Sequence, residues 1–294
     1  MNMNHKSYLT LLATGTLVAF ALTGCTSKSA NPPAGDQSKK PAEAGNQAKP
    51  SDTNASTIHV AADTTFPPFE SEVGGKVQGF DIDMINAIAK HANLTVDMKT
   101  MQFTGLIPAL QSGQVDVAVA GITVKKSRMA AVNFSDAYYK SGLSVITKTT
   151  SSVKSIDDLK GKLVGTKKGT SSVDLLKSKG ITDIKQFDNI DAAYSALASG
   201  GVEAVLFDNP VNLNYANTNK DTHVVGGLLT GEYYGIAISK NKPELQKKIN
   251  DGLKAFQDSG EYKQLFDKYF GGDTAGMVQQ GTTPESVALD DTKK

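Results

Sequence analysis

Short apolar runs alternate with helical patterns between residues 58 and 273, and this alternation constrains the fold more than any other feature of the chain. The runs that predict strands are Ile58–Ala62, Leu94–Met98, Val115–Ala120, Leu143–Thr147, Leu163–Thr166, Val202–Phe207 and Gly235–Ser239. The helices are predicted at Ile82–His91, from Asp191 as N-cap to Gly200, from Asn209-Pro210 onwards, and at Pro243–Ser259 and Tyr262–Phe270. Strands and helices in alternation indicate an α/β protein with mostly parallel sheets.

An internal repetition adds a second constraint. The segment Ala109-Leu110-Gln111-Ser112-Gly113-Gln114-Val115-Asp116 returns as Ala196-Leu197-Ala198-Ser199-Gly200-Gly201-Val202-Glu203. Both copies run helix, glycine, strand, which indicates two lobes of similar build. The alternative is a coincidental match, because helix, glycine and strand in succession are a common local arrangement. Ligands bind beyond the carboxyl ends of strands in open α/β sheets, so we expect residues 121–128 and 208–210 to face each other.

The stretch from Val115 to Arg128 contains groups that suit a carboxylate. It stops at Gly121 and leads through Thr123 into a helical segment that carries Arg128. A helix N-terminus favours an anion, and a guanidinium offers two parallel hydrogen bonds to two oxygens. Taken alone, the stretch is explained better by a buried strand followed by an exposed helix, so its context decides.

The N-terminal residues predict export. Lys6 precedes an apolar stretch from Tyr8 to Leu22, which is too short for a membrane-spanning helix and suits a signal peptide over residues 1–24. The alternative is an N-terminal helix of the mature protein. Leu22-Thr23-Gly24-Cys25 also resembles the lipobox of bacterial lipoproteins. This resemblance implies a lipid on Cys25 and anchoring on the extracytoplasmic face of the cell membrane.

The segments on either side of the alternating region are polar. Residues 26–57 contain no Val, Ile, Leu, Met, Phe or Tyr, so we expect residues 25–57 to be a lipidated cysteine followed by a disordered tether. Residues 274–294 are similarly polar and are predicted to form a flexible tail. Cys25 is the only cysteine, which excludes a disulfide within one chain.

Composition narrows the possible partners. The chain has 31 basic and 30 acidic residues, so nothing indicates a nucleic-acid partner. Its four histidines are scattered without the spacing of metal ligands. The sequence also lacks the Gly-x-x-x-x-Gly-Lys-Ser/Thr loop of ATP-binding proteins. We therefore expect neither a metal nor a cofactor.

A set of ordered motifs runs along residues 58–271. The motifs are Ala62-Asp63-Thr64-Thr65-Phe66, Gly79-Phe80-Asp81-Ile82-Asp83, Phe103-Thr104-Gly105-Leu106-Ile107-Pro108-Ala109-Leu110, Ala120-Gly121-Ile122-Thr123 with Arg128, Phe134-Ser135-Asp136-Ala137-Tyr138-Tyr139-Lys140-Ser141-Gly142, Asp188-Asn189-Ile190-Asp191-Ala192-Ala193-Tyr194 and Tyr234-Gly235-Ile236-Ala237. Together they resemble the amino-acid-binding lipoproteins of bacterial ABC importers, solute-binding protein family 3, and most of all its glutamine-binding members.

The resemblance implies a two-lobed, periplasmic-binding-protein-like fold of type II. Lobe 1 would comprise residues 58–139 and 235–273, and lobe 2 residues 142–232. Two crossings, near Tyr138–Gly142 and Glu232–Ile236, would form a hinge. The family expectation is a monomer that binds an amino acid and delivers it to membrane permease subunits.

The resemblance also implies contacts for each end of an amino acid. Arg128, the Thr123 amide and an amide near Ser171 would hold the carboxylate, while the Gly121 carbonyl, the Thr123 hydroxyl and Asp208 would hold the α-ammonium group. The complete predicted set is Asp63, Phe66, Phe103, Ala120, Gly121, Thr123, Arg128, Lys167, Thr170, Ser171, Phe207 and Asp208. In it, Phe66 and Phe103 would sandwich the aliphatic part of the ligand.

The ligand side chain is expected to meet Asp63 and Lys167. A carboxylate accepts hydrogen bonds and an ammonium donates them, so the pair fits a carboxamide and predicts glutamine. Glutamate would place a second anion against Asp63, and arginine a second cation against Lys167. Each residue also has a purely structural explanation, such as a turn for Asp63 or a helix cap for Asp208.

Two residues depart from the glutamine-binding members, which have histidine at Phe207 and glycine at Ser171. The first departure reduces polar contact with the ligand side chain, and the second narrows the space beside it. A dehydratase on the same fold is an alternative function, but no nucleophile with an adjacent base is recognisable, so we expect no enzyme. A sensor that presents amino acids to a receptor is the other alternative.

Overall fold

The computed structural model describes residues 55–292. The predicted signal peptide, Cys25 and the first part of the predicted tether lie outside the described residues. Strands span Ser56–Ala62 (β1), Thr65–Phe66 (β2), Glu70–Val73 (β3), Lys76–Gln78 (β4), Leu94–Thr100 (β5), Val117–Val119 (β6), Asn133–Ser141 (β7), Leu143–Lys148 (β8), Val164–Lys167 (β9), Ile184–Phe187 (β10), Ala204–Asp208 (β11), Thr222–Val225 (β12) and Glu232–Ile238 (β13). Helices span Phe80–His91 (α1), Phe103–Ser112 (α2), Lys126–Ala131 (α3), Ser171–Ser178 (α4), Ile190–Ser199 (α5), Asn209–Thr218 (α6), Pro243–Asp258 (α7), Glu261–Phe270 (α8) and Pro284–Val287 (α9).

Two five-stranded sheets organise the chain, and we call each sheet with its helices a lobe. The first sheet has the order β5-β1-β6-β13-β7 and the second the order β10-β9-β11-β8-β12. In both, the central strand is parallel to one neighbour and antiparallel to the other. The antiparallel neighbour is β13 in the first sheet and β8 in the second. The α/β prediction is therefore confirmed, with one reversed strand in each sheet.

The internal repetition occupies matching places in the two sheets. Helix α2 ends at Gly113 and helix α5 at Gly200, and both glycines adopt the left-handed conformation, with φ of 74° and 78°. Each glycine leads into a central strand, β6 or β11. This conformation satisfies the last carbonyls of a helix and turns the chain back towards the sheet.

Some predicted boundaries are wrong. Helix α5 is capped by Asn189 and not by Asp191, because the Asn189 side chain accepts a hydrogen bond from the Ala192 N–H at 3.0 Å. Strand β1 begins at Ser56, so the predicted tether extends too far; Ser56 and Thr57 pair with β5. Strands β7, β10 and β12 and the short strands β2, β3 and β4 are also missing from the prediction. The first three are edge strands, in which a buried apolar run is not required.

The prediction of a flexible tail is wrong for residues 274–292. The Lys126 N–H donates to the Leu289 carbonyl, and the Leu289 N–H donates to the Val124 carbonyl, each at 3.0 Å. The Ala137 N–H donates to the Thr282 carbonyl at 2.8 Å. We call residues 274–292 the C-terminal strap. Its polar composition conceals these contacts because their partners lie far away in the sequence.

Two crossings connect the lobes, and they touch each other. The first passes from β7 to β8 through Gly142, and the second leads through Thr230 into β13. The Leu143 N–H donates to the Thr230 hydroxyl at 2.9 Å. A Cβ on Gly142 would overlap the Thr230 carbonyl. The close approach of the two crossings therefore depends on glycine.

Within residues 55–292, no helix combines the length and apolar character that crossing a membrane requires. The same residues hold no group of three or more His, Cys, Asp or Glu side chains arranged to bind a metal ion.

Candidate functional site

A small cavity lies where the carboxyl ends of β6 and β11 meet. Its volume is about 10 Å³. It is lined by Phe66, Phe103, Ala120, Gly121, Thr123, Arg128, Lys167, Thr170, Ser171, Phe207 and Asp208. Among the described residues, the structure therefore brings together the whole predicted set except Asp63.

A larger cleft of about 600 Å³ lies beside the first crossing, lined by Tyr139, Gly142, Pro210, Phe270 and their neighbours. Of the described residues that line it, none belongs to the predicted set. The small cavity is the better candidate because it holds the predicted residues and because buried charged groups of both signs line it.

The first lobe positions its groups through the turn after β6. Gly121 has a φ of 51°, and a Cβ at this position would overlap the ring of Phe66. The Gly121 N–H donates to the Asp81 carboxylate at 2.9 Å. After this turn, Thr123 pairs with Tyr234 of β13 through an isolated bridge. Glycine is needed at this turn because its backbone adopts a positive φ and leaves room for the Phe66 ring. The turn carries the chain from β6 to Thr123 at the cavity.

Arg128 is the buried cation of the first lobe. Its Nη1 donates to the Thr123 carbonyl at 2.9 Å, and its Nη2 donates to the Gly169 carbonyl in the second lobe at 3.0 Å. The guanidinium lies 5.2 Å from the ring centre of Phe103. Burial lowers the pKa of Arg128, and the nearby carboxylates of Glu232, Asp174 and Asp208 act in the opposite direction. The side chain remains charged because its ordinary pKa is far above neutral.

Asp208 supplies the opposite charge from the second lobe. It is the last residue of β11, and its carboxylate accepts a hydrogen bond from the Tyr234 hydroxyl. Burial, and then the nearby Glu232 carboxylate, raise the pKa of Asp208 to about 7. Asp208 is also the N-cap residue of α6, but within the described chain its side chain makes no capping hydrogen bond. The structure therefore does not favour the capping explanation of this aspartate.

Asp63 and Lys167 form a buried ion pair. Lys167 Nζ lies 2.7 Å from Asp63 Oδ2 and also donates to the Thr65 hydroxyl at 3.1 Å. The other carboxylate oxygen accepts from the Thr65 N–H at 2.8 Å. The Phe103 N–H adds a further hydrogen bond to Asp63 at 3.1 Å. Protein groups thus satisfy Asp63, and it lies behind Lys167 instead of lining the cavity.

The aromatic residues enclose the space between these charges. Phe66 and Phe207 meet edge to face, with ring centres 5.6 Å apart. Phe103 lies beneath both cations, since Lys167 Nζ is 5.7 Å from its ring centre. Phe66 and Phe207 are almost fully buried. A ligand side chain here would lose most of its contact with water.

Glu232 is the site residue that sequence reasoning missed. Its carboxylate accepts hydrogen bonds from the hydroxyls of Thr123 and Ser171, each at 2.8 Å. Only a weak signal marks it in the sequence, namely an acidic residue two positions before the Tyr234-Gly235 motif.

The arrangement therefore has two cations, Arg128 and Lys167, two acidic groups, Asp208 and Glu232, and several hydroxyls around an aromatic enclosure. It can bind a small molecule that carries both charges, because each end would find a partner of opposite sign.

Comparisons with known proteins find a family model and relatives that match most of this chain. Residues 58–272 match the model of the bacterial extracellular solute-binding proteins, family 3. The glutamine-binding protein GlnH of an ABC transporter from Bacillus subtilis strain 168 is 32% identical over 277 residues, which cover 92% of this chain and 99% of that protein. The arginine-binding extracellular protein ArtP of the same organism is 31% identical, covering 91% and 99%.

Solved structures are similar as well. An ancestral arginine-binding protein bound to glutamine has a TM-score of 0.70 and 42% identity, covering 73% of this chain and 98% of that chain. The same ancestral protein bound to arginine has a TM-score of 0.71 and 42% identity, with the same coverage.

Proposed function

The chain belongs to the bacterial extracellular solute-binding proteins, family 3, and from this premise we propose that it binds a free polar amino acid between its lobes and delivers it to an ABC importer. One observation carries the proposal: Arg128 from the first lobe and Asp208 from the second line the same buried cavity. A zwitterion removed from water needs a partner at each end. Here the first lobe supplies the guanidinium for the carboxylate, and the second lobe supplies Asp208 for the ammonium group.

We propose L-glutamine as the substrate. Lys167 lines the cavity and Asp63 lies directly behind it, so this end carries no net charge. A neutral carboxamide can accept a hydrogen bond from Lys167 and leaves this end without net charge, whereas a charged side chain would give it one. The glutamine-binding relative and the glutamine-bound ancestral protein support this choice.

L-Arginine is the second candidate. The same ancestral protein also has an arginine-bound structure. The carboxylate of Asp191 also lies near Lys167 and Asp63, since their charges influence its pKa, which burial raises. With Asp191 ionised, this end of the site gains a negative charge that a guanidinium would offset.

Binding requires the lobes to move. The cavity of about 10 Å³ has room for about one water molecule, far less than an amino acid needs. An amino acid therefore enters only when contacts such as Arg128 to Gly169 separate. We propose hinge motion at the two crossings, with the ligand favouring the closed form because both lobes contact it only there.

Calorimetric titration of the purified protein, stripped of carried ligand by unfolding and refolding, tests the substrate. The panel is L-glutamine, L-arginine, L-histidine, L-cystine, L-glutamate and L-asparagine. We expect glutamine to bind most tightly. Preference for arginine would still support amino-acid binding. It would contradict the carboxamide argument and favour the contact between the arginine guanidinium and Asp191. No binding by any member would contradict amino-acid binding.

Small-angle scattering tests the motion. The radius of gyration should decrease when the best ligand of the panel is added to saturation. An unchanged radius would contradict hinge closure.

We further propose that Cys25 carries a lipid that holds the protein on the extracytoplasmic face of the membrane. Cys25→Ser should release the protein from the membrane fraction into the medium. The matched control is Ser27→Ala, which should remain with the membrane.

Transport, sensing and catalysis give different results in cells and in solution. Deleting the gene should reduce uptake of labelled glutamine if the protein supplies a permease. Unchanged uptake would favour a sensor. Recovery of unaltered ligand after long incubation is expected of a binding protein, and a dehydrated product would instead indicate an enzyme.

A further inference from the structure

Glu232 lies at the point where the second crossing enters the first sheet. It begins β13, and its side chain is buried. Its Oε2 accepts hydrogen bonds from Thr123 Oγ1 and Ser171 Oγ, both at 2.8 Å, and its Oε1 accepts from Thr230 Oγ1 at 3.1 Å. The carboxylate therefore contacts one cavity residue from each lobe and the crossing itself.

The partners of this carboxylate are chemically unusual for a structural ion pair. A buried carboxylate is expected to have a cation in direct contact, since its desolvation is costly. Arg128 is near enough that the charge of Glu232 acts to raise its pKa. The hydrogen bonds of Arg128 described above nevertheless go to two backbone carbonyls. The direct partners of Glu232 described here are three neutral hydroxyls.

The direction of these hydrogen bonds has a consequence for the cavity. An ionised carboxylate only accepts, so each hydroxyl that contacts it must donate its single proton. The proton of Thr123 and the proton of Ser171 both point to Glu232. What these two oxygens retain for a ligand is lone pairs, which suit a donor such as an ammonium group and repel a second carboxylate or a carbonyl oxygen.

We propose that Glu232 is a positioning residue that fixes the Thr123 and Ser171 hydroxyls as hydrogen-bond acceptors and so makes the site select ligands with a free, protonated α-amino group. This inference rests on the proposed function and deepens it. It predicts rejection of α-hydroxy acids and of N-acylated amino acids, whose group at this position lacks the ammonium charge.

The negative charge around this end supports the selection. Glu232 lies close enough to Asp208 that its charge raises the pKa of Asp208, and Tyr234 donates to Asp208. An ammonium group placed near both carboxylates would relieve their repulsion. A neutral hydroxyl of the same size would not.

Glu232→Gln tests the inference, because glutamine keeps the shape while its amide can donate. One hydroxyl can then turn its own proton towards the ligand. The probes are L-glutamine and its α-hydroxy analogue, 2-hydroxyglutaramate, in calorimetric titrations. We expect the affinity for L-glutamine to fall about tenfold, as for the loss of one charge-assisted hydrogen bond. The affinity for the hydroxy analogue should stay unchanged or increase.

A purely structural role gives a different result. If Glu232 only held the crossing in place, E232Q would weaken both ligands by the same factor, and the inference would be overturned. Glu232→Asp retains a carboxylate and should restore part of the preference for the amine. Thermal unfolding identifies variants that fail to fold.

Two further variants carry the test if E232Q does not fold. Thr123→Val and Ser171→Ala each remove one oriented acceptor and leave Glu232 in place. Each should weaken L-glutamine more than the hydroxy analogue, and equal losses would overturn the inference. If the wild-type protein bound no amino acid of the panel, the proposed function would fail and this inference with it. A wild type that binds while every variant loses both probes equally would refute the inference alone.

Discussion

The central strands β6 and β11 occupy the same place in two sheets of matching order, yet their ends differ. Strand β6 ends at Val119, and the chain continues through Gly121 and Thr123 to the buried cation Arg128 in the short helix α3. Strand β11 ends directly in Asp208, and α6 begins at the next residue. The repeated topology thus fixes where a ligand meets the protein, and the residues that follow each strand decide which charge it meets.

The contacts that hold the ends of β6 and β11 in place also differ. The C-terminal strap pairs through Leu289 with Val124 and Lys126, close to Thr123 and Arg128. At the end of β11, Asn212 Nδ2 donates to the carbonyls of Ser144 and Phe207 at 3.0 and 3.2 Å, and Tyr234 of the first lobe donates to Asp208. A segment outside the residues matched to the family, 58–272, therefore supports the cationic end only.

Removing the cation should have the largest effect on binding. Arg128→Met keeps the length and apolar contact with Phe103 but leaves a ligand carboxylate without its partner. We expect affinity for L-glutamine and L-arginine to fall by about 100-fold or more, as for truncating a buried charge pair. Calorimetry measures it. The matched control Lys126→Gln, on the same helix but half-exposed, should bind normally. A loss of less than tenfold in R128M would show that the first lobe does not hold the carboxylate.

Changing the anionic end should give a smaller, pH-dependent loss. The pKa of Asp208 is about 7, so below that pH the carboxyl increasingly carries a proton and cannot attract an ammonium group. Wild-type affinity should therefore fall as pH decreases below about 7, by at most about tenfold per pH unit. Asp208→Asn should weaken binding by about 30-fold at pH 8 and much less at pH 6. Arg128, Glu232 and Tyr234 face this group. A variant whose affinity followed the wild-type pH profile would show that Asp208 is not the group that titrates.

Much of the fold, and the residues at both ends of the cavity, can be predicted from the sequence. The fold followed from local signals, because apolar runs and glycine stops such as Gly113 and Gly200 determine strands and helix ends within a few residues. Gly121 and Thr123 lie just after β6, Arg128 lies in the next helix and Asp208 ends β11, so topology brings them near one another.

What sequence reasoning missed depends on contacts between distant residues. Glu232 reaches Thr123 across 109 positions and Ser171 across 61 positions. The pairing of Asp63 with Lys167, which satisfies a residue expected to meet the ligand, is equally non-local. The polar sequence of the strap predicts a flexible tail because the residues that it contacts, such as Lys126 and Ala137, lie far away in the sequence. Near α5, two neighbouring residues, Asn189 and Asp191, are both suitable caps, and only the backbone path selects between them.

A buried carboxyl pair behind the β6 end gives the next prediction. Asp81 accepts from the Gly121 N–H and from the Tyr138 hydroxyl, and Glu70 lies beside it. Burial raises the pKa of Glu70 well above its ordinary value of 4.5, and the charge of Asp81 raises it further. The folded protein thus retains a proton that the unfolded chain releases. Stability should decrease as pH rises above about 4.5, by about 1.4 kcal/mol per pH unit for one proton, until the folded pKa is passed.

Glu70→Gln removes this dependence, because its amide is neutral and can donate to Asp81. The free energy of unfolding of E70Q, measured with urea, should exceed that of the wild type by an amount that grows from pH 5 to pH 8. The exposed neighbour Glu72 supplies the control, and Glu72→Gln should leave the pH profile unchanged. A constant difference between E70Q and the wild type would show that Glu70 is ionised in the folded protein.

The smallest effect is expected at Lys125, which pairs with both the second lobe and the strap. Lys125 follows the β6 end and lies 2.7 Å from Asp174 in α4 and 3.1 Å from Asp291 in the strap. The pair with Asp174 joins the lobes, so it favours the closed form, but Asp174 is half-exposed and such pairs contribute roughly 0.2–1 kcal/mol. Asp174→Asn should weaken ligand binding about threefold, since only the closed form loses the contact. Asp251→Asn removes an exposed pair within α7 and should have no effect. Because salt screens exposed charges, the difference should shrink at 0.5 M sodium chloride in calorimetry, and a loss that persisted there would mean that Asp174 contributes through packing of α4 instead of charge.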